Sequence, residues 1–143
     1  MASQNYPEHR LIFRPPLSYI DMGKVVYNAR YLDIYNYARD EYMRSIGYSY
    51  IRLNQEDNKN LAVVEANIKY RKPLYYDEET VIVSKVEKIG FRSILFDQKI
   101  YKDTMNLLCN ESKFIMVCID STFKTSSIPQ ALKQAFTNGP INF

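Results

Sequence analysis

The spacing of apolar and polar positions changes character along this 143-residue chain, and each change marks an element. The stretch Arg10 to Arg14 (R-L-I-F-R) has strand character and is stopped by Pro15 and Pro16, which cannot donate to a ladder. From about Val26 to Ile46 the pattern is helical. Tyr31, Tyr35, Ala38, Tyr42 and Ile46 recur at spacings of four, three, four and four, while Arg30, Asp33, Tyr37, Asp40 and Arg44 trace a mostly polar opposite face. Gly47 supplies a C-terminal stop. A tyrosine stripe at this spacing reads first as a core face, because the ring buries well and the hydroxyl can find a partner.

After a polar loop, Asn54 to Asn60, the rest of the chain reads mainly as strand. Ala62, Val64, Ala66, Ile68 and Tyr70 alternate with Val63, Glu65, Asn67, Lys69 and Arg71, as in an antiparallel strand packed on one side. Pro73 ends that strand, and Y-Y-D-E-E leads into T-V-I-V-S-K-V-E-K. Gly90 separates this from F-R-S-I-L-F-D-Q-K-I-Y, and D-T-M-N at 103–106 separates that from a last strand ending F-I-M-V-C-I-D. The apolar run Phe114 to Ile119 predicts a central strand covered on both faces, and a short helix begins near Pro129 after a Ser127 cap.

The element order is one strand, one long helix, then four long strands in hairpin succession. It predicts an α+β hotdog fold: one long central helix wrapped by a curved antiparallel sheet of about five strands. The chain is expected to be a single domain, 1–143. A bare sheet edge makes a homodimer with a continuous sheet, or a homotetramer built from it, the natural way to finish the fold.

Composition narrows the chemistry. A net charge of +3 without a Lys/Arg run gives no nucleic-acid footprint; it suits a small polyanionic ligand, although ordinary solubility is the simpler account. The two cysteines, Cys109 and Cys118, and the single His9 form no metal-binding pattern, so no metal is expected and a serine–histidine–acid triad is disfavoured. Catalysis would then rest on carboxylates, backbone dipoles, hydroxyls or amines. No apolar segment approaches the ~20 residues of a membrane span, and the N-terminus has no signal-peptide pattern, so a cytoplasmic location is expected.

Asp21 is the candidate with a mechanism. It lies in a turn-prone segment just before the long helix, beside N–H groups that have no partner within the helix. Oriented N–H groups and the helix dipole can polarise a carbonyl oxygen while a nearby carboxylate attacks the carbon or activates water. Taken alone, a capping carboxylate is the commoner reason for an acid at this place. Asp40 and Glu41 read as helix-surface partners of Arg44, and Glu65 as a charge pairing with a basic residue across a dimer sheet.

The run D-M-G-K-V-V-Y-N-A-R-Y-L, then Y-A-R-D-E, then V-V-E-A-N-I-K-Y-R-K-P-L-Y-Y-D-E, resembles hotdog acyl-CoA thioesterases of the 4-hydroxybenzoyl-CoA thioesterase family, nearest to its Tol-Pal-associated branch. The F-R-S-I-L-F-D-Q strand and the final apolar strand agree with it in order. The resemblance implies hydrolysis of an acyl-CoA or acyl carrier protein thioester, with coenzyme A entering only as part of the substrate and no separate cofactor. It places Asp21 on the catalytic aspartate, as nucleophile or general base, and the Asn28 backbone N–H on the carbonyl-polarising donor. Tyr27 would shape the acyl pocket, and Arg92 would meet the CoA phosphates. Lys69, Arg71 and Lys72 are further phosphate candidates from charge and location, with a solvated strand end an equal reading for each. Two positions depart from the pattern. Lys24 stands where the family has a second glycine, and either Gly23 absorbs the turn or Lys24 faces an anionic substrate. Tyr19 replaces an aspartate, which implies an altered acyl pocket. A hotdog protein that binds acyl thioesters without cleaving them is the alternative reading.

Overall fold

The computed structural model describes residues 5–141. Five strands, β1 (His9–Phe13), β2 (Lys59–Tyr70), β3 (Thr80–Ile89), β4 (Ser93–Lys102) and β5 (Leu107–Asp120), form one antiparallel sheet in the order β1-β3-β4-β5-β2. Among the described residues three α-helices accompany them, α1 (Arg30–Ser45), α2 (Tyr50–Asp57) and α3 (Gln130–Asn138): the long helix and the short closing helix expected near Pro129 are joined by a third, α2. None of the described helices is long and apolar enough to cross a membrane.

α1 crosses the sheet as its tyrosine stripe dictates. Tyr31, Tyr35, Ala38, Tyr42 and Ile46 are all buried. Successive turns of the helix engage successive strands: the Tyr35 hydroxyl donates to Asn110 Oδ1 on β5 at 2.5 Å, Arg39 Nη1 to Gln98 Oε1 on β4 at 2.9 Å, and the Val86 N–H on β3 to the Tyr42 hydroxyl at 3.2 Å. Tyr42, Phe96 and Phe136 meet edge-on, with ring centroids 5.3–6.3 Å apart, and fasten α3 to the same core. The helix ends where the glycine predicts. Gly47 takes φ +75°, its N–H reaches Arg44 O, and the Tyr48 N–H reaches Met43 O, the paired bonds of a Schellman cap.

Several details differ from the sequence reading, each for a physical reason. α1 begins at Arg30 rather than Val26, because the Val26 N–H is bonded to Leu74 O and Val26 bridges Ile20. The first half of the expected polar loop 54–60 is helical: Ser49 caps α2 by accepting from the Arg52 N–H, and Asn58 closes it in a left-handed conformation. The four long strands are not all in hairpin succession, since β2 pairs with β5 at the far edge and the chain then crosses to β3. A β-bulge between Val63 and Glu65 inverts the alternation of β2. Leu61 is therefore buried toward the helix before the bulge, while the Tyr70 ring packs edge-on against Tyr31 after it. β5 is an interior strand, but only alternate residues of Phe114–Ile119 are fully buried. Ser127 does not cap α3; its carbonyl and hydroxyl oxygens instead accept from Lys59 Nζ.

Candidate active site

The site region is a small hairpin pinned onto the sheet just ahead of α1. Ile20 bridges Val26, and the Tyr27 N–H donates to Tyr19 O at 2.9 Å. At its tip Asp21 closes a turn: its carbonyl accepts from the Lys24 N–H at 3.0 Å, its N–H donates to Val25 O at 3.0 Å, and its Oδ1 accepts from the Gly23 N–H at 2.8 Å. The carboxylate is exposed, and it caps its own turn rather than the helix. Its second oxygen makes no bond among the described residues.

Lys24 takes the left-handed conformation, with φ +64°, and Gly23 does not. Lys24 thus adopts a backbone shape that a glycine takes without strain. The lysine carries the steric cost that a glycine would avoid, and its ammonium group stands in solvent at the turn.

Asn28 lies in the turn that leads into α1, two residues before its first helical residue. Its carbonyl accepts from the Tyr70 hydroxyl at 2.9 Å, which ties the helix entrance to the end of β2. The N–H groups of Asn28 and Ala29 meet no acceptor among the described residues. A carbonyl oxygen placed there would meet unengaged donors at the positive end of the helix dipole. Beside them is a recess of about 270 Å³ lined by Val26, Asn28, Tyr31, Tyr70, Arg71 and Lys72. Tyr31 is nearly inaccessible there, and burial pushes its hydroxyl up to about 12, so it stays protonated at neutral pH.

The structure brings Asn28, Arg71 and Lys72 together at this recess. The Arg71 side chain also reaches Glu111 at 3.4 Å. Tyr27 is half-exposed next to the hairpin. Lys69 points to the opposite, open face of the sheet, among Glu65, Asn67, Asp97, Lys99 and Lys113, and is not assembled with Asp21 within one chain. Arg92 follows the β3–β4 turn at the far end of the sheet from Asn28, where its carbonyl accepts from the Cys118 N–H. Asp40 and Glu41 pair with Arg44. No ion pair forms at Glu65 among the described residues.

A larger, open groove of about 630 Å³ is lined by polar and apolar side chains together: Tyr19, Asp33, Asn36, Tyr37, Asp40, Tyr50, Asn60, Leu61, Val63 and Met116. Tyr19, the departure from the family pattern, is thus a groove residue. Behind the wall is a feature the sequence reading missed. Arg39 is 2% exposed; it lies 4.1 Å from the centre of the Phe114 ring and donates to Gln98, and among the described residues it has no carboxylate partner and its Nε has no acceptor. The Tyr50 hydroxyl lies near this guanidinium, yet it too is buried without a hydrogen bond. Burial pushes the guanidinium pKa down from its usual value. The signal was present: Arg39 is four residues after Tyr35 and three before Tyr42, on the buried stripe.

A long helix laid across a five-stranded antiparallel sheet, with unengaged N–H groups at its entrance, defines a hotdog α+β protein with a site suited to acyl chemistry. Residues 15–136 match the model of the thioesterase-like superfamily, and the chain belongs to that family. It is 29% identical over 117 residues to the acyl-CoA thioesterase YbgC of Haemophilus influenzae, covering 81% of this chain and 85% of that protein. A 1,4-dihydroxy-2-naphthoyl-CoA thioesterase from Synechocystis superposes with a TM-score of 0.83 at 18% identity, covering 91% of this chain and 96% of the other. The DHNA-CoA thioesterase of Staphylococcus aureus superposes with a TM-score of 0.83 at 20% identity, covering 92% and 89%. At those identities the two structures establish the fold.

Proposed function

We propose that the protein hydrolyses acyl-CoA thioesters, with Asp21 as nucleophile or general base and the Asn28 N–H as the donor to the carbonyl oxygen. Two observations support this reading in a chain of the thioesterase-like family: an exposed, turn-held carboxylate at Asp21, and, seven residues on, unengaged N–H groups at the entrance of α1. In the general-base route, Asp21 takes a proton from water as the water oxygen bonds to the carbonyl carbon. The C–S bond then breaks, and the thiolate leaves and takes up a proton. In the nucleophilic route Asp21 itself bonds to that carbon, the thiolate leaves, and water opens the resulting anhydride. The products are the same in both, a free acid and a thiol. The developing oxyanion meets preorganised N–H groups, a contribution worth roughly 3–4 kcal/mol per donor in comparable sites.

The acyl group is assigned to the recess beside the Asn28 N–H, where the Tyr31 and Tyr70 rings favour a compact or aromatic acyl chain. Tyr27 is assigned to the rim of the acyl pocket, and Lys24, Arg71 and Lys72 to the thiol-side arm of the substrate. Working as a homodimer through β2 is part of the proposal, since the outer side of this 12-residue edge strand is unpaired in one chain. So is a cytoplasmic location, where acyl-CoA would be available. Thiol release from a panel of acetyl, medium-chain, long-chain and benzoyl-type CoA esters tests the reading. Turnover of at least one member is expected; binding of CoA esters with no turnover of any would move the protein to the non-catalytic alternative.

A further inference from the structure

The two unengaged N–H groups at the entrance of α1, those of Asn28 and Ala29, belong to peptide groups that are held by different means. In a planar trans peptide the carbonyl oxygen and the following N–H point in opposite directions, so whatever holds the one aims the other. The Tyr27 carbonyl accepts from the Arg30 N–H at 2.9 Å, and this backbone turn aims the Asn28 N–H. The Asn28 carbonyl has no backbone partner among the described residues. It accepts instead from the Tyr70 hydroxyl at 2.9 Å, and this side-chain bond from the last residue of β2 aims the Ala29 N–H. Tyr70 is itself firmly placed. It pairs with Asn110 on β5, the Arg71 and Lys72 N–H groups that follow both donate to Cys109 O at 2.9 Å, and its ring stands edge-on to Tyr31 with centroids 5.1 Å apart. Partial burial pushes its hydroxyl up from the ordinary phenol value, so it stays a donor at neutral pH.

A hydrogen bond received by a peptide carbonyl also polarises the N–H at the other end of the group. The Tyr70 bond therefore fixes the direction of the Ala29 N–H and strengthens it as a donor, at the positive end of the α1 dipole. A carbonyl oxygen has two lone pairs, and an oxyanion developing on it can use both N–H groups. Without the hydroxyl, water takes its place and the peptide plane is free to tilt. The fold does not depend on this bond, because the Val26 N–H donates to Leu74 O at 2.8 Å and holds the hairpin to the same segment independently.

We propose that Tyr70 is a positioning residue for the hydrolysis: its hydroxyl holds the Asn28–Ala29 peptide so that the Ala29 N–H joins the Asn28 N–H in donating to the thioester carbonyl oxygen. The inference rests on the thioesterase reading and deepens it. Tyr70→Phe is the first test, since it keeps the ring against Tyr31 and in the recess and removes only the hydroxyl. kcat for thioester hydrolysis should fall at least about tenfold with KM changed by less than about twofold. Tm should drop by no more than about 5 °C. An unchanged kcat, or a loss carried by KM, overturns the proposal. The second test reads the carbonyl directly, by isotope-edited infrared spectroscopy of benzoyl-CoA bound to D21N and to D21N/Y70F. Donors weaken the C=O bond, so binding to D21N should lower its stretching frequency, and part of that shift should be lost in D21N/Y70F. A mere structural tie would leave the shift intact. The same frequency in both proteins, or no shift on binding, overturns the proposal whatever the kinetics. The two readings fail separately. Full turnover by Y70F beside an inactive D21N leaves the thioesterase reading standing and removes the positioning role. A wild type that cleaves no ester, with the shift present in D21N and reduced in D21N/Y70F, removes hydrolysis and leaves the two donors and Tyr70 as part of a binding site.

Discussion

Gln98→Leu should be one of the most destabilising single changes in the core, because it isolates a buried charge. Gln98 is 0% exposed; its Oε1 accepts from Arg39 at 2.9 Å, and its Nε2 donates to Tyr35 O at 3.1 Å and Ser84 Oγ at 2.9 Å. Leucine fills a similar volume and removes all three bonds. Arg39 is then left with the Phe114 face, the neighbouring Tyr50 hydroxyl and a long contact to Asn36 Oδ1 at 3.4 Å. Stripping the partner from a buried charge costs about 3–5 kcal/mol. For a domain of this size that is about 10–15 °C in Tm. Arg39→Met alone leaves Gln98 Oε1 unsatisfied and should cost about 1–3 kcal/mol. The double variant replaces the pair with apolar groups and should recover most of the loss, giving a coupling of about 2 kcal/mol or more. Urea unfolding of the four proteins measures the cycle. A Gln98→Leu cost below about 1 kcal/mol, or a double variant no more stable than Gln98→Leu, would refute the view that an isolated cation sets this cost.

Alkaline pH should unfold the protein through its helix tyrosines. Tyr31 and Tyr42 are almost fully buried, and burial pushes each up to about 12 from an ordinary value of 10, so the folded state holds protons that the unfolded state releases. Their contribution is complete below pH 10 and is lost as pH rises toward 12, at about 1.4 kcal/mol per pH unit for each group. The urea midpoint at pH 8, 10 and 11, with tyrosinate absorbance, checks this; a flat midpoint above pH 10 would contradict it. Lys24→Gly should stabilise the protein by about 0.5–1 kcal/mol, since glycine relieves the left-handed strain while adding some unfolded-state entropy. Thermal melts decide this, and a loss of stability would mean that the lysine side chain makes a compensating interaction.

Much of the fold was legible because local pattern and tertiary structure agree. The tyrosine stripe, the Gly47 stop and the β3–β4 and β4–β5 turns all sit where period and punctuation placed them. Misreadings came where a non-local force acted. Val26 fits a helix by period, but its N–H is claimed by Leu74. β2 looks regular in sequence, but a bulge at Val64 inverts its faces, and no alternation rule foresees that one-residue insertion. α2 was hidden because Asn54–Asn60 is polar and only Leu53 of that helix is buried. At the candidate site, the turn at Asp21 and the unengaged N–H groups ahead of α1 follow from the residues. The separation of Arg92 and Lys69 from them within one chain depends on strand order, which sequence spacing does not encode.

The central claim is that Asp21 performs chemistry rather than capping a turn, and Asp21→Asn separates these roles. Asparagine keeps an Oδ1 acceptor for the Gly23 N–H, so the turn should survive and Tm should be unchanged. Thioester hydrolysis by the variant should fall by at least about 100-fold in kcat, with affinity for coenzyme A retained. A variant that cleaves acyl-CoA at the wild-type rate would contradict the account and return Asp21 to a turn cap.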